Sequence, residues 1–235
     1  MTDPLIVLIS GSRKGIGRYL TEHYLEKGAT VIGCSRSPSD LNHSEYTHFC
    51  LDIANQTSVS DMAAAILTKY KKLDVLINNA AIGSYNHSLL TPVSTVHKIL
   101  ATNLVGTIIL AREAVKLMRR HSSRRRIVNF SSVAVPLNIE GEAIYAASKS
   151  AVESFTKIFA REVAEFSITV NTIGPTPIKT DLLKNIPQSK LDLLIQRQAI
   201  KRWGEMRDIS HTIDFLIDKN SDFITGQTIY LGGVN

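Results

Sequence analysis

Short apolar runs that alternate with longer helical patterns limit the fold of this chain more than any other feature. Most of the runs are continuously apolar, which is typical of strands that are buried on both faces of a parallel sheet. We predict strands at Leu5–Ser10, Thr30–Cys34, Thr47–Leu51, Val75–Asn78, Ile127–Phe130, Ile168–Ile173 and Thr228–Leu231. The intervening stretches predict helices at Gly17–Lys27, Val59–Tyr70, Pro92–Arg120, Tyr145–Glu165 and Asp208–Ile217.

This alternation predicts an α/β fold, with a doubly wound parallel sheet and helices on both faces. Thr91 is expected to cap the third helix, with Pro92 as its first residue. The chain has 235 residues and no linker or repeat, so residues 1–235 are expected to form one domain.

A proline-containing segment at about residues 174–207 interrupts the alternation. Ligands of open α/β sheets bind beyond the carboxyl ends of the strands, where this segment begins. We therefore expect it to be a substrate lid, and the alternative is an insertion without a role in binding.

Charge and composition exclude several classes of function. The net charge is +6, but most of the excess lies in "MRRHSSRRR" at Met118–Arg126, and only 6% of residues are aromatic, so a nucleic-acid partner is not expected. No apolar run approaches the length of a membrane span, and Leu5–Ile9 is too short for a signal peptide. Cys34 and Cys50 form no C-x-x-C motif and are expected to be buried, and the histidines show no metal-binding spacing. We expect a soluble cytoplasmic protein without a metal or a membrane partner.

A glycine-rich loop, "SGSRKGIG" at Ser10–Gly17, joins the first strand to the first helix. Glycines let the backbone turn sharply and approach a pyrophosphate closely. The start of a helix offers free N–H groups and the positive end of the helix dipole. The loop therefore predicts a dinucleotide site.

Tyr145 and Lys149, in "YAASK", lie four residues apart and share one face of a helix. A cation beside a phenol favours phenolate and lowers its pKa from roughly 10, which would suit a tyrosine that exchanges a proton with a substrate oxygen. The alternative is an ordinary contact on the helix surface.

Four motifs, in order, resemble the short-chain dehydrogenase/reductase family over essentially the whole chain, from Leu5 to Gly232-Gly233. They are the G-x-x-x-G-x-G loop, the triplet Asn78–Ala80, Ser132 thirteen residues before the tyrosine, and Tyr145-x-x-x-Lys149. The resemblance implies a seven-stranded Rossmann fold and an oxidoreductase that interconverts a carbonyl and a secondary alcohol by hydride transfer.

The resemblance also implies roles for individual residues. Tyr145 would be the acid or base, and Lys149 would lower its pKa and hold the ribose hydroxyls of a nicotinamide cofactor. Ser132 would bind the substrate oxygen, while its neighbour Ser131 is expected to be structural. Asn103 matches the asparagine that bends a helix and holds a water in a proton relay.

The second strand predicts which cofactor is used. It ends in "VIGCSRS", with Ser35 where NAD-dependent relatives place an acid, and with Arg36 next. Positive charge at Arg36 and Lys14 would suit the 2′-phosphate of NADP, and the alternative is that Arg36 is a solvated loop residue. The resemblance assigns the adenine to Asp52 and Ile53, and the nicotinamide carboxamide to Ile178 and Thr180. The residues predicted to bind NADP(H) are Gly11, Ser12, Arg13, Lys14, Gly15, Ile16, Gly17, Ser35, Arg36, Asp52, Ile53, Asn79, Ala80, Tyr145, Lys149, Pro175, Ile178 and Thr180.

The chain departs from the family pattern at three positions outside the catalytic set. Ala81 and Thr176 stand where glycine is usual, and Leu231 replaces an acid before the double glycine. A β-carbon at position 176 restricts φ, so we expect Thr176 to reshape the nicotinamide end of the site. Activity is expected to be retained.

Within the family, 3-oxoacyl-acyl carrier protein reductases are the alternative that names a substrate. The arginines of Arg119–Arg126 would bind the acidic carrier, or they are a solvated helix end that complements the helix dipole. Against this reading, such reductases resemble one another in having an arginine where this chain has Glu165-Phe166.

Three further expectations follow from the resemblance. A regulatory protein that senses NADPH without turnover is a rival, but such relatives typically lose the tyrosine or the lysine. The extended members of the family, the sugar epimerases and dehydratases, are not expected, because they carry a longer C-terminal substrate domain. Family members commonly form dimers or tetramers through two long helices, here Pro92–Arg120 and Tyr145–Glu165.

The substrate is left open among hydrophobic or acyl-like carbonyl compounds, polyols and sugars.

Overall fold

Seven parallel strands form a single sheet in the computed structural model, which describes residues 4–121, 124–184 and 186–234. Their spatial order is β3-β2-β1-β4-β5-β6-β7. The strands are β1 (Ile6–Ser10), β2 (Thr30–Ser35), β3 (Tyr46–Cys50), β4 (Val75–Asn78), β5 (Arg126–Phe130), β6 (Thr169–Gly174) and β7 (Thr228–Tyr230). The strand order reverses between β1 and β4, and this reversal opens a crevice at their carboxyl ends. The predicted doubly wound fold is confirmed.

Helices connect the strands along the chain. They are α1 (Gly15–Glu26), α2 (Gln56–Tyr70), α3 (Val93–Leu100), α4 (Thr107–His121), α5 (Ala134–Leu137), α6 (Ala143–Glu162), α7 (Gln188–Gln196) and α8 (Met206–Ile217). A π-helical segment, Ala101–Gly106, joins α3 to α4 without a break. Short 3₁₀ turns lie at Ser88–Leu90, Ala164–Phe166, Asp181–Leu183 and Lys219–Ser221.

The sheet separates two hydrophobic cores, because successive side chains of a strand point to opposite faces. In β1, Leu8 faces the core formed with α2, α4 and α6, whereas Val7 and Ile9 face the core formed with α1 and α8. Central strands therefore bury every residue, which explains their unbroken apolar runs.

Three local predictions need correction. Pro92, rather than Thr91, occupies the cap position of α3, and it has no side-chain acceptor for the free N–H groups of the first turn. The predicted helix Pro92–Arg120 contains the π-helical segment in its middle; a single extra residue in such a turn is a local event that the apolar period does not show. Cys34 is buried, but Cys50 is exposed because β3 lies at the edge of the sheet.

The helical stretch Val93–Arg119 spans 27 residues with a mean hydropathy of 1.4, which is long and apolar enough to cross a membrane. The prediction that no segment approaches this length is therefore wrong. The stretch packs against α2 and α6, and 33% of its apolar window is buried. A helix on a protein core meets the same criteria, so this is weak evidence for a membrane.

The segment predicted to be a lid leaves the carboxyl end of β6 and contains the 3₁₀ turn Asp181–Leu183 and α7. A parallel bridge between Ile178 and Gly204 ties its two ends together. A β-carbon at Gly204 would lie 2.7 Å from the Thr176 hydroxyl, so this closure needs a glycine. The segment thus forms a structured loop over the crevice.

Candidate active site

The helix α6 carries both Tyr145 and Lys149 to the carboxyl end of β5. Their exposed fractions are only 9% and 3%. The Lys149 ammonium donates a hydrogen bond of 2.8 Å to the carbonyl of Phe130, the last residue of β5, and lies 5.8 Å from the centre of the Tyr145 ring. The pair is therefore buried in a cleft, which excludes an ordinary contact on the helix surface.

Burial shifts the pKa of both groups away from their charged forms. It lowers the pKa of Lys149 to about 8. It also raises the pKa of Tyr145, and the neighbouring Glu142 carboxyl raises it further, while a hydrogen bond with Ser132 opposes this. The sequence predicted a lowered tyrosine pKa, and that prediction is wrong here. The lysine's charge is turned toward a backbone carbonyl, while desolvation acts on the phenol directly.

Ser131 and Ser132 follow β5 and face different partners. Ser132 is held by the backbone N–H of Ala134, which donates to its hydroxyl at 3.1 Å, and it also pairs with Tyr145. Ser131 donates to the carboxylate of Glu153, which also accepts a hydrogen bond of 2.6 Å from Tyr230. Ser132 is therefore the serine that faces the tyrosine, and Ser131 joins α6 and β7.

Asn103 lies fully buried in the π-helical segment, which places its amide between two parts of the site. Its side chain donates to the Ile82 carbonyl and to the Ser148 hydroxyl, both at 3.0 Å, and accepts from the Ile82 N–H at 2.9 Å. Because these contacts hold the loop after β4 to α6, the wider helical turn has a clear structural purpose here.

The glycine-rich loop fits a dinucleotide pyrophosphate. Gly15 has φ of +58°, a conformation that favours glycine, and a β-carbon there would project into the gap beside Thr180, 3.6 Å away. A β-carbon at Gly17 would lie 2.1 Å from the carbonyl oxygen of Gly11. Helix α1 starts at Gly15 with Lys14 at its cap and no side chain capping it, so its first N–H groups face the cradle. The residues of this loop therefore fit a dinucleotide pyrophosphate.

The loops after β3 and β4 complete this cradle. The Asn79 amide donates to the carbonyl of Ser10 at 2.9 Å, and the Ala80 N–H donates to the Ser10 hydroxyl at 3.1 Å. Asp52 accepts from the Ala54 N–H at 2.9 Å, and Ile53 packs tightly against Gly106. The structure therefore brings the predicted Asn79, Ala80, Asp52 and Ile53 to the edge that carries the glycine-rich loop.

At the carboxyl end of β2, Ser35 and Arg36 lie next to a hydrogen-bonded histidine. The Ser35 hydroxyl is 3.1 Å from Nε2 of His48, whose Nδ1 is 2.9 Å from the Tyr46 hydroxyl. Burial lowers the pKa of His48. Arg36 is exposed, and no ion pair engages it among the residues that the structure describes. Its guanidinium is thus available to an anion.

Lys14 departs from its predicted place beside Arg36. Its ammonium forms an ion pair of 2.9 Å with Asp181, on the lid side of the loop. The pKa of Asp40, in the loop after β2, is lowered mainly by its hydrogen bond with Arg18. Arg13, by contrast with Lys14, lies close enough to Asp40 to add to this lowering. Of the loop's cations, Arg13 therefore faces the β2 side and Lys14 faces the lid.

A cleft of about 1100 Å³, open solvent included, lies beside Tyr145 and Lys149, and Ile16 of the glycine-rich loop lines it. Tyr145 and Ser132 line it together with Asn79 from the sheet edge. The lid covers it with Pro175, Ile178, Thr180, Leu182, Leu191 and Leu194. Most of this cover is apolar.

Thr176 also lines the cleft, but it does not strain the backbone. Its φ is not positive, and its methyl group faces Gly232, where a β-carbon would lie only 2.6 Å away. Thr176 therefore sits in the cleft without a left-handed backbone, because the double glycine leaves room for its methyl group, and its effect on the nicotinamide end stays a prediction.

The sequence did not identify Glu142 and His48. Glu142 lines the cleft three residues before Tyr145, and burial raises its pKa to about 7. Its position in the turn before the tyrosine was a usable signal, because that turn faces the same cleft. His48 gave no signal, because it lies within a strand.

The arginine cluster lies away from the cleft. Arg126 begins β5, whereas the cleft lies beyond Phe130 at the other end of that strand. Arg126 is buried and donates to the carbonyl of Asp218, and Arg125 donates to the carbonyl of Phe166. The side chains of residues 120, 122 and 123 lie outside the described part. Of the arginines in Arg119–Arg126 that were predicted to bind a carrier, Arg125 and Arg126 are thus engaged within the fold, at the end of β5 opposite the cleft.

Comparison with known proteins places the chain among nicotinamide-dependent oxidoreductases. A family model described as enoyl-(acyl carrier protein) reductase matches residues 11–235. The chain is 32% identical to the 3-oxoacyl-acyl-carrier-protein reductase FabG of Vibrio cholerae, over 97% of this chain and 96% of that protein.

Two solved structures share the fold over nearly their full length. A short-chain dehydrogenase from Leptospira borgpetersenii with bound NAD⁺ superposes with a TM-score of 0.89 and 25% identity, covering 99% of this chain and 92% of that chain. ElxO with NADP bound gives a TM-score of 0.88 and 28% identity, covering 97% of each chain.

Proposed function

Because the chain belongs to the short-chain dehydrogenase/reductase family, we propose that it interconverts a carbonyl compound and a secondary alcohol with NADP(H), and that Tyr145 is the acid or base. The observation that carries the proposal is the convergence of Tyr145, Ser132 and Lys149 in one cleft with the glycine-rich loop.

The site's own groups account for the movement of the proton. A nicotinamide cofactor supplies or accepts the hydride when bound. During reduction, negative charge grows on the substrate oxygen, and Tyr145 donates its phenolic proton there. The raised pKa of Tyr145 keeps that proton in place at neutral pH. Ser132, paired with Tyr145, gives the oxygen a second hydrogen-bond donor.

Lys149 and Asn103 act behind the tyrosine. The buried ammonium of Lys149 places a positive charge beside the phenol, which favours the phenolate left after proton donation. Asn103 holds Ser148, on the same helix turn as Lys149, and thereby positions α6. We propose that Tyr145, Lys149, Ser132 and Asn103 form the catalytic set.

The preference for NADP rests on charge at the end of β2. Arg36 is exposed there with no carboxylate partner among the described residues, and Ser35 stands where an acid would favour NAD. The relatives give no decision, since one solved neighbour holds NAD⁺ and another holds NADP. The proposal for NADP(H) therefore depends on Arg36.

Reduction of a 3-oxoacyl group on an acyl carrier protein is the second candidate, and the similarity to FabG favours it. The apolar lid suits an acyl chain. The position of Arg125 and Arg126, at the opposite edge from the cleft, argues against that part of the chain as the carrier's docking site.

Self-association is the remaining part of the proposal. The side chains of Val105 and Ile158, in the π-helical segment and in α6, are 45% and 58% exposed. They give the two long helices apolar faces outside the core, and we propose that these faces pack in a dimer or tetramer. A stable 25.9 kDa monomer by light scattering at micromolar concentration would refute it.

A panel of ketones, secondary alcohols and 3-oxoacyl thioesters, assayed with both cofactors by nicotinamide absorbance, tests the activity. We expect turnover of simple carbonyl compounds with NADPH ahead of NADH. Turnover confined to the carrier-linked thioester would select the second candidate. Cofactor binding without any turnover would leave a binding protein instead.

A further inference from the structure

Glu142 is a buried carboxyl group in the wall of the cleft, at the position that caps α6. Only 9% of the residue is exposed, and its side chain accepts no hydrogen bond from the backbone of the helix. Tyr145 lies one turn further along, close enough for the Glu142 charge to raise the tyrosine's pKa. The carboxyl group therefore borders the place where the substrate's reacting carbon must lie.

Another acid of the same helix shows what is missing at Glu142. Glu153 is equally buried, at 8% exposure, but it accepts hydrogen bonds from both Ser131 and Tyr230. Within residues 4–121, 124–184 and 186–234, no hydrogen bond or ion pair reaches the Glu142 carboxyl. The Glu142 oxygens are not among the fully enclosed unpartnered atoms of the described residues, so they keep access to the cleft. A substrate that closed the cleft over them without offering a donor would leave them unpaired, which costs free energy.

The charged groups around Glu142 do not supply the missing partner. Lys149 donates to the carbonyl of Phe130, and Lys190 of α7 faces Glu140 at 3.6 Å. Tyr145 pairs with Ser132, and Tyr85 lies against Gly141. Burial raises its pKa to about 7, so the carboxyl group, which faces the cleft, is partly ionised at neutral pH, and a donor placed beside it would favour the ionised form.

We propose that Glu142 binds a hydrogen-bond donor of the substrate, a hydroxyl group or a protonated amine on the carbon next to the reacting carbon. The substrate class is then hydroxy or amino ketones in one direction and diols or amino alcohols in the other. This inference rests on the proposed function. It separates the protein from enzymes of plain acyl chains, which offer no donor at that position and would leave the carboxyl group unpaired.

The test compares three ketones of the same carbon chain, one unsubstituted, one with an α-hydroxyl and one with an α-ammonium group. The ratio of kcat/KM for each substituted ketone to kcat/KM for the unsubstituted one is measured in every variant, which cancels general damage to the enzyme. A hydrogen bond to a charged group predicts a ratio of about ten to a hundred for the wild type.

Three variants identify the group responsible. Glu142→Leu should bring the ratio to about one, since no acceptor remains. Glu142→Gln keeps an acceptor oxygen, so it should retain part of the preference for the hydroxyl but lose the preference for the ammonium group. Glu140→Gln is the matched control, because Glu140 is 91% exposed two residues earlier, and its ratio should equal that of the wild type.

The outcomes separate this inference from the function on which it rests. The substituted ketone that the wild type prefers identifies the donor. A wild type without preference, or a preference that survives in Glu142→Leu, overturns the role of Glu142 while leaving the oxidoreductase intact. A wild type that turns over none of the three ketones and none of the wider panel overturns the proposed function, and this inference with it.

Discussion

The two ends of the proposed active site, the cleft at Tyr145 and the end of β2 at Arg36, place their charged groups in opposite environments. At the catalytic end, Tyr145 and Lys149 are buried and anchored to the end of β5. At the ribose end, Arg36 is exposed, and the Lys14 side chain is 60% exposed in its ion pair with Asp181. Both ends lie at the carboxyl edge of one sheet, so burial, rather than position in the fold, distinguishes them.

This difference determines how each end responds to change. In the buried end, charge costs desolvation, and substitutions act through shifted pKa values and lost proton transfer. In the exposed end, charges are screened by salt, and an ion pair contributes at most about 1 kcal/mol unless a ligand orders it. Single substitutions should therefore have larger effects at the catalytic end.

The largest effect is expected for Tyr145→Phe. The ring still fills its place, but the transferable proton is lost, so turnover should fall by about a hundred- to ten-thousandfold while the cofactor still binds. Steady-state turnover and cofactor titration on the same preparation check both parts. Tyr145 would not be the acid or base if the variant kept more than a tenth of the wild-type turnover.

The second-largest effect is expected for Lys149→Met. We expect kcat/KM to fall about a hundredfold, because the lysine is proposed to act through the tyrosine and the ribose hydroxyls. The pKa of Lys149 is about 8, so its positive charge is present below that pH and disappears above it. Activity that depends on the charge should decline above about pH 8 in the wild type, and this limb should be absent in the variant.

Lys157→Met is the matched control for this profile, since Lys157 lies exposed on the same helix. It should keep the wild-type limb and cofactor affinity. A Lys149→Met enzyme with the same limb and the same cofactor affinity would show that the buried ammonium has no part in the reaction.

Glu142→Gln should change how the free energy of unfolding depends on pH, and should change that free energy little at low pH. Burial raises the pKa of Glu142 from 4.5 to about 7, so the folded state holds a proton that the unfolded state has already released between these values. The free energy of unfolding of the wild type therefore falls as pH rises from 4.5 to 7, and this group accounts for up to about 3 kcal/mol of the loss. Glutamine cannot titrate, so the variant should gain stability relative to the wild type across that window.

Denaturant unfolding of both proteins at the two ends of the window measures this difference, because the other titrating groups cancel between them. Glu140→Gln, at an exposed position, should show no comparable gain. If the free energies of unfolding of the wild type and Glu142→Gln differed by the same amount at acidic and at neutral pH, the carboxyl group would be solvated in solution.

The sequence predicted the sheet and the grouping of Tyr145, Lys149 and Ser132 at one cleft better than it predicted the environment of the charges. The continuous apolar runs of β1 and β4 reflect burial on both faces, which is a local property that every residue of the strand shares. Tyr145, Lys149 and Ser132 lie together because the end of β5 and the start of α6 meet in any fold of this topology.

What the sequence missed depends on contacts between distant residues. The raised pKa of Tyr145 comes from its burial and from the Glu142 charge, and the ion pair of Lys14 comes from a lid residue 167 positions away. The π-helical turn at Asn103 depends on its bonds to Ile82 and Ser148. None of these has a pattern in the local sequence.

Arg36→Ala tests the exposed end and should have the smallest of these effects. The guanidinium offers a planar fork of donors to the 2′-phosphate of NADPH, and hydrogen bonds to charged groups contribute roughly 1.5–3 kcal/mol. Its loss should weaken NADPH binding about ten- to a hundredfold and leave NADH binding nearly unchanged. Raising the salt concentration should weaken NADPH binding more than NADH binding in the wild type, because the exposed charge is screened.

Lys14→Ala should weaken NADPH binding less than Arg36→Ala does, since Asp181 already holds the Lys14 ammonium. Lys219→Ala removes an exposed cation after α8 and controls for net charge. Dissociation constants of both cofactors for the four proteins decide the matter: equal wild-type affinities, or an Arg36→Ala that weakens both cofactors alike, would mean that the exposed end does not select NADP.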